Sequence, residues 1–150
     1  MKIKEGYLYH IKDEFFDIVN DENIMTNHEK GKKRPTYFTI RDEEGILWFI
    51  PLSSKIDKYK KIVDRKITNR KSAILIQNAF PTLEKYIDHE HVLSNGKPAK
   101  VIESLKEEIT SKFLYLLILK KNGINLFFTD IDRIKSIMDK ELKETSYVHN

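Results

Sequence analysis

The sequence predicts an α+β domain built on a small, mostly antiparallel sheet, and three observations predict it. Two apolar runs of five, "TYFTI" and "ILWFI", flank the polar "RDEEG". The opening "GYLYHI" alternates apolar and polar residues and is rich in aromatics. From residue 98 to 121, Val101, Leu105, Ile109, Phe113 and Leu116/Leu117 recur at helical spacings of three and four. Strands near the start and a long helix near the end are the pattern of one segregated α+β unit.

Taken in order, "GYLYHI" is a first strand. Asp13 is placed to cap a short helix carrying Phe15, Phe16, Ile18 and Val19. "NDENIMTNHEKGKK" is polar and contains Gly31, so it reads as a loop. "TYFTI" and "ILWFI" form an antiparallel hairpin, with Gly45 supplying the backbone angle its turn needs. "SAILIQ" is a buried strand stopped by "NAFP", and "EHVL" is a short edge strand ended by the "NG" turn. The amphipathic helix of residues 98–121 has Pro98 near its start and Asn122-Gly123 as its stop. "INLFF" fits either a strand or a continuation of the helix, because so short an apolar run does not decide between them. Thr129 and Asp132 resemble a capping signal for a last helix through Leu142.

The 150 residues, 40% hydrophobic and 33% charged, suit one globular domain spanning 1–150 rather than two domains or a disordered chain. No apolar run approaches the roughly 18 residues that cross a bilayer, and "MKIKEGYLYHI" has no signal-peptide core. A cytoplasmic location, without a membrane, is the expectation. With no cysteine, disulfides and thiolate metal sites are excluded.

Charge is distributed unevenly. Residues 28–41 carry +4 and residues 55–71 carry +6, so with a net charge of +4 the remainder of the chain sums to −6. The positive charge is concentrated on both flanks of the hairpin, as on a surface that binds a polyanion; solvated loop lysines are the plainer reading.

Several chemical motifs are absent. "DHEH", Asp88 to His91, offers metal-capable side chains but lacks the i, i+4 histidine pair of a zinc helix, so it stands as a surface turn or a metal site. "SNGKPAK" has the wrong glycine spacing for a phosphate-binding loop. Glu43 and Glu44 lie at the hairpin tip, where solvated turn residues are the default. The mouth of the hairpin is the better site. Pairing of its strands brings Lys33 and Arg34 toward Ser53, Ser54 and Lys55, where cations, hydroxyls and backbone N–H groups suit one phosphate. The alternative is that Ser53-Ser54 caps the following segment and Pro35 starts a strand.

The block "RPTYFTIRDEEGILWFIPLSSK" resembles the Arg-Pro, glycine and Pro-Leu-Thr/Ser-Ser signature of the type III toxin–antitoxin endoribonucleases, the ToxN/AbiQ/CptN/TenpN group. "ILIQNAFP" is similar to that family's Asn- and Pro-containing block, keeping Asn78 and Pro81, and the helix ending in "KKNG" matches its long helix. "YLYHIKDEFFDIV" is similar to its first strand and turn. The resemblance spans most of the chain, with Arg34 to Ser54 as its specific part. It departs in having Ser53 for the more usual Thr and Thr36 directly after Pro35, with Tyr37 shifted by one.

The resemblance implies a compact, strongly twisted antiparallel β core of the Kid/MazF type surrounded by helices. It implies RNA cleavage without a metal or other cofactor, leaving a 2′,3′-cyclic phosphate and a 5′-hydroxyl. It further implies a small RNA antitoxin, a pseudoknot excised from a repeat array, that inhibits the toxin and joins it in closed RNA-bridged assemblies active in phage defence. Cellular RNA is the implied substrate. Carried onto this sequence, the catalytic positions are Lys33, Arg34, Ser53, Ser54 and Lys55. Lys33 can act as a base if its pKa is depressed, whereas Arg34 stays protonated. The RNA-binding positions are Tyr9, Lys32, Tyr37, Lys58, Lys60, Lys61, Arg65, Lys66 and Asn78. Tyr9 stacks on a base, donates to phosphate, or is an ordinary strand tyrosine. Two other classes stay open: a non-catalytic RNA- or DNA-binding module with a basic groove, and a metal-dependent nuclease using "DHEH".

Overall fold

A computed structural model describes residues 2–24, 36–53, 66–67 and 73–148. The elements are β1 (Leu8–Ile11), α1 (Asp13–Val19), β2 (Tyr37–Arg41), β3 (Leu47–Ser53), β4 (Lys66–Ile67), β5 (Ala73–Ile74), β6 (Phe80–Thr82), β7 (Ile87–Glu90), α2 (Glu103–Lys121) and α3 (Ile131–Val148). Single 3-10 turns at Ile76–Asn78 and Glu84–Tyr86 precede β6 and β7. The strands form one sheet in the order β4-β5-β3-β2-β1-β7, with β6 also paired to β3, and the pairings between these strands are antiparallel.

The hairpin is as the sequence expects, and Asp42 builds its turn. Its Oδ1 accepts from the N–H groups of Glu44 (2.9 Å) and Ile46 (3.0 Å), and its Oδ2 accepts from Trp48 Nε1 at 2.9 Å. Gly45, at φ 83°, takes the left-handed conformation that closes the loop. Pairing then runs from Arg41 opposite Leu47 to Tyr37 opposite Pro51.

Both apolar runs are continuous because the sheet is covered on both faces. One face of the hairpin sends Tyr37, Leu47 and Phe49 into a core with Tyr9, Ile11, Phe15, Phe80 and, from α3, Ile134 and Met138. The other sends Phe38, Ile40, Trp48 and Ile50 against Ile109, Phe113 and Leu116 of α2. Strand alternation sorts the side chains into these two cores.

Boundaries differ from the sequence reading in several places. Lys12, not Asp13, occupies the α1 cap position, and no side chain caps it. "SAILIQ" is strand only at Ala73–Ile74. It then turns through Ile76–Asn78, and "NAFP" does not end the pairing but opens β6, with Phe80 opposite Phe49 and Pro81 opposite Trp48. A strand with one partner tolerates proline. The edge strand is Ile87–Glu90, which meets "EHVL" only at Glu90; beyond it Val92 forms an isolated bridge with Pro98. Pro98 is therefore not in the long helix: Ala99 N–H donates to the His91 carbonyl and Val101 N–H to the Gly6 carbonyl, so residues 98–101 run along the sheet and α2 starts at Glu103. "INLFF" is neither strand nor helix; Phe128 N–H donates to the Gln77 carbonyl (2.7 Å) and the Gln77 side chain to the Leu126 carbonyl (2.9 Å). Thr129 caps nothing and instead donates its hydroxyl to the Ala79 carbonyl at 2.6 Å. Asp130 fills the cap position and α3 runs to Val148, beyond Leu142.

Phe80 is the hub of the first core. Its ring lies 4.9 Å from Phe15, 5.4 Å from Tyr37 and 6.3 Å from Phe49. Truncation in Phe80→Ala removes all three ring pairs and leaves a cavity, so it should cost about 3–5 kcal/mol. Urea denaturation of wild type and variant measures this, and a change of less than about 1 kcal/mol would mean that the core closes over the gap.

Candidate nucleic-acid interface

The mouth of the hairpin is where four strands end together. Leu52 N–H donates to the Thr36 carbonyl at 3.0 Å, one rung beyond Tyr37–Pro51. Ser53, the last residue of β3, is opposite Ala73 of β5, and Ile67 of β4 is opposite Ala73 in turn. Beside them, Leu75 N–H donates to the Pro51 carbonyl at 2.9 Å. The mouth is therefore a pinned end of the sheet.

Of the residues expected to contact RNA or carry catalysis, Lys32, Lys33, Arg34, Ser54, Lys55, Lys58, Lys60, Lys61 and Arg65 lie outside the described residues. Ser53 ends β3, and Lys66 lies on β4 opposite Ile74. Asn78 is part of a loop lock: its Nδ2 donates to the Asn23 carbonyl, and Asn23 Nδ2 donates to the Phe128 carbonyl, both at 3.0 Å. It joins the loop after α1 to the 3-10 turn and the segment before α3.

The two tyrosines are corrected by burial. Tyr9 and Tyr37 are each 0% exposed, so neither ring has a free face on which a base could stack. The Tyr9 ring meets Phe49 edge-on, and its hydroxyl accepts the Lys4 backbone N–H at 2.9 Å. Burial raises its pKa, Glu90 adds to the rise, and the Lys4 hydrogen bond opposes it. Tyr37 packs against Phe16 and Phe80. Their aromatic character serves the core because both sit on the same buried face of the sheet.

A group of histidines escaped the sequence reading. "DHEH" is not a surface turn: Asp88, His89 and Glu90 lie in β7, and His91 follows directly after it. His10 of β1 is opposite His89, and their rings stack at 4.5 Å. His10 Nε2 and His91 Nδ1 share a hydrogen bond at 2.9 Å. His91 is held below the usual imidazole range, first by burial and then by His89. Asp88 Oδ2 lies 3.2 Å from His89 Nδ1. Among the described residues, no three His, Asp or Glu side chains converge as ligands for a metal ion. The signal available in the sequence was the i, i+2 spacing of His89 and His91, which on a strand shares one face.

At the opposite end of the hairpin, a cavity of about 240 Å³ is bounded by Asp42, Trp48, Leu117, Lys120, Asp132 and Lys135. Lys120 Nζ is 2.7 Å from Asp132 Oδ1, so positive and negative groups there neutralise each other. It lies at the tip, away from the mouth. No helix among the described residues is long and apolar enough to cross a membrane.

No protein-family model matches the chain, and no curated protein matches it. Among solved structures, AbiQ, a lactococcal anti-phage endoribonuclease belonging to the type-III toxin–antitoxin system, is similar in fold at 17% sequence identity. The match has a TM-score of 0.71 and covers 93% of this chain and 99% of that one. The α+β architecture, with its antiparallel β core and long C-terminal helix, thus matches the AbiQ fold.

Proposed function

We propose that this chain is a metal-independent endoribonuclease toxin of a type III toxin–antitoxin system. It attacks the scissile phosphate with the neighbouring 2′-oxygen, leaving 2′,3′-cyclic phosphate and 5′-hydroxyl ends. A small repeat-derived RNA is both its product and its inhibitor, and the two associate into closed RNA-bridged oligomers in the cytoplasm. The observation that carries this reading is the AbiQ fold, shared over nearly the full length of both chains. The Arg34 to Ser54 block supports it independently, because its signature flanks the mouth where β2, β3, β4 and β5 end.

The chemistry asks for three things: an aligned 2′-oxygen, stabilised charge on the phosphate, and movement of one proton. Arg34 precedes Thr36 by two residues, and Ser54 follows Ser53 directly. Arg34 and Lys55 supply charge in this reading, and Ser53 and Ser54 supply donors to the phosphate oxygens. Lys33 stabilises charge on the phosphate beside them. Lys32, Lys58, Lys60, Lys61, Arg65 and Lys66 extend the same positive field along the strand of RNA.

Ser54→Ala should remove cleavage while leaving RNA binding within about twofold, since one hydroxyl that orients a phosphate contributes far more to the transition state than to a multi-phosphate grip. Growth after induced expression and a gel-shift titration read the two properties. A fully toxic Ser54→Ala would exclude this residue from the site. A wild-type protein that binds RNA tightly and never cuts it would instead be the non-catalytic module.

The basic segments make a separate prediction. Replacing Lys58, Lys60 and Lys61 by Gln should lower the slope of log K against log salt by roughly 0.7 for each phosphate of single-stranded RNA that is no longer neutralised. An unchanged slope would mean that residues 55–71 are solvated and touch no phosphate.

A further inference from the structure

Three of the chain's five histidines meet on one edge of the sheet, and the strand register relates them to the mouth. Leu52 is level with Thr36, as their 3.0 Å hydrogen bond records. Across β1 and β2, Leu8 is opposite Phe38 and Tyr9 opposite Tyr37, so the same register continued one residue brings His10 level with Thr36. His89 is opposite His10 in turn. Directly opposed residues in antiparallel strands share a face, so His89, His10, Thr36 and Leu52 form one row. With strands about 4.8 Å apart, His10 stands one strand from Thr36 and two, about 10 Å, from β3.

Exposure grades along the cluster. His10 is 7% exposed, His91 is half-buried, and the His89 side chain is 55% exposed. The shared hydrogen bond between His10 and His91 needs one ring to donate and the other to accept, so at least one of the two rings is neutral. Imidazole is the side chain whose ordinary pKa makes it both acceptor and donor near neutral pH, whereas lysine needs a large shift to do so.

We propose that the hydrogen-bonded His10–His91 pair, with His89 stacked on it, is the proton-transfer element of the nuclease, an inference that rests on the endoribonuclease reading above. As the bond from the 2′-oxygen to phosphorus forms, the 2′-hydroxyl proton passes to the neutral pair. As the bond from phosphorus to the 5′-oxygen breaks, its electron pair leaves on that oxygen. The protonated pair then returns the proton to the 5′-oxygen. One proton is taken and one returned, so the pair ends neutral and no co-reactant is consumed. The depressed pKa of His91 suits this role, because burial and His89 favour its neutral ring before reaction.

The ionisable groups on the described elements around the pair come from β1, β7, the segment after β7, and α2, whose Lys106 lies against Gly6 and pairs with Glu103. Asp88, His89 and Glu90 lie on β7, Tyr9 and Lys12 on or beside β1, and Lys97 and Lys100 on the segment after β7. Glu90 is opposite Tyr9, on the other face of the sheet. His89 is the group that, after burial, depresses His91. The acid limb of the reaction should therefore follow the imidazoles and not a carboxylate.

The test is single-turnover cleavage of a short RNA between pH 5 and 8.5 by wild type, His10→Asn and His91→Gln, beside binding of the 2′-O-methylated RNA, which has no 2′-hydroxyl to react. Wild type should lose rate toward the acid end of this range as His91 becomes protonated, with the fall beginning below the ordinary imidazole range. His10→Asn should fall roughly 100-fold at pH 7.5, in line with the loss of a general acid–base group, and lose the acid limb. Its affinity for the methylated RNA should stay within about twofold of wild type. His91→Gln should move the limb, and it carries the test if His10→Asn does not fold. Cleavage with an unchanged rate and acid limb in the folded variants would overturn the relay alone. A wild-type protein that cuts no RNA at any pH would overturn the endoribonuclease reading and the relay with it.

Discussion

Strand β3 is the constraint on which the rest of the structure depends. Along one edge it pairs with β2 from Leu47 to Pro51. Along the other it pairs first with β6 and then, after the chain turns through Ile76–Asn78, with β5. Its side chains enter both cores, Phe49 on one face and Trp48 and Ile50 on the other. A strand held on both edges and both faces has no freedom to slip in register, because a slip of one residue would exchange its two sets of side chains. Asp42 fixes that register at the tip, through two backbone N–H groups and the Trp48 indole.

Function in this reading is a consequence of where that rigidity stops. The tip is closed by Asp42 and flanked by offsetting charges, whereas the mouth releases into the two segments that hold the positive charge of the chain. A nuclease of this type needs little chemistry from any single group, but it needs the phosphate, the 2′-oxygen and the proton acceptor held together. An end of a sheet pinned by Leu52–Thr36 and Leu75–Pro51 is a firm base for that. The two classes of ionisable group are also divided. In sequence the cations are concentrated in residues 28–41 and 55–71, and imidazoles come from β1 and the end of β7, where burial favours the neutral ring of His91.

What was legible in the sequence follows the same division. The hairpin was legible because two aromatic and β-branched runs enclose a turn, and no other arrangement buries both. The run Ile74-Leu75-Ile76 was not, because three consecutive buried apolar residues look the same whether the backbone is extended or makes a 3-10 turn. Pro98 suggested a helix start, yet the backbone of residues 99–101 finds its partners on Gly6, Leu8 and His91, which are remote in sequence. Tyr9 and Tyr37 show the limit on site residues. Aromatic character suits a base platform and a core equally, and the sheet face decides between them. The histidine cluster needed the β1–β7 register, because His10 and His91 stand 81 residues apart and meet only through it. The Arg34 to Ser54 signature was legible as a pattern, and Gly45, Pro51, Leu52 and Ser53 are the parts of it that the described hairpin contains.

The central claim, that this fold cuts RNA by its own 2′-oxygen, is tested most directly by the ends it leaves. Purified wild-type protein incubated with a defined RNA in EDTA, with the products read by mass spectrometry, gives those ends in one measurement. The account predicts fragments carrying a 2′,3′-cyclic phosphate upstream of each cut and a 5′-hydroxyl downstream. Intact RNA in EDTA, or cuts leaving 5′-phosphates that appear only when a divalent cation is added, would contradict it.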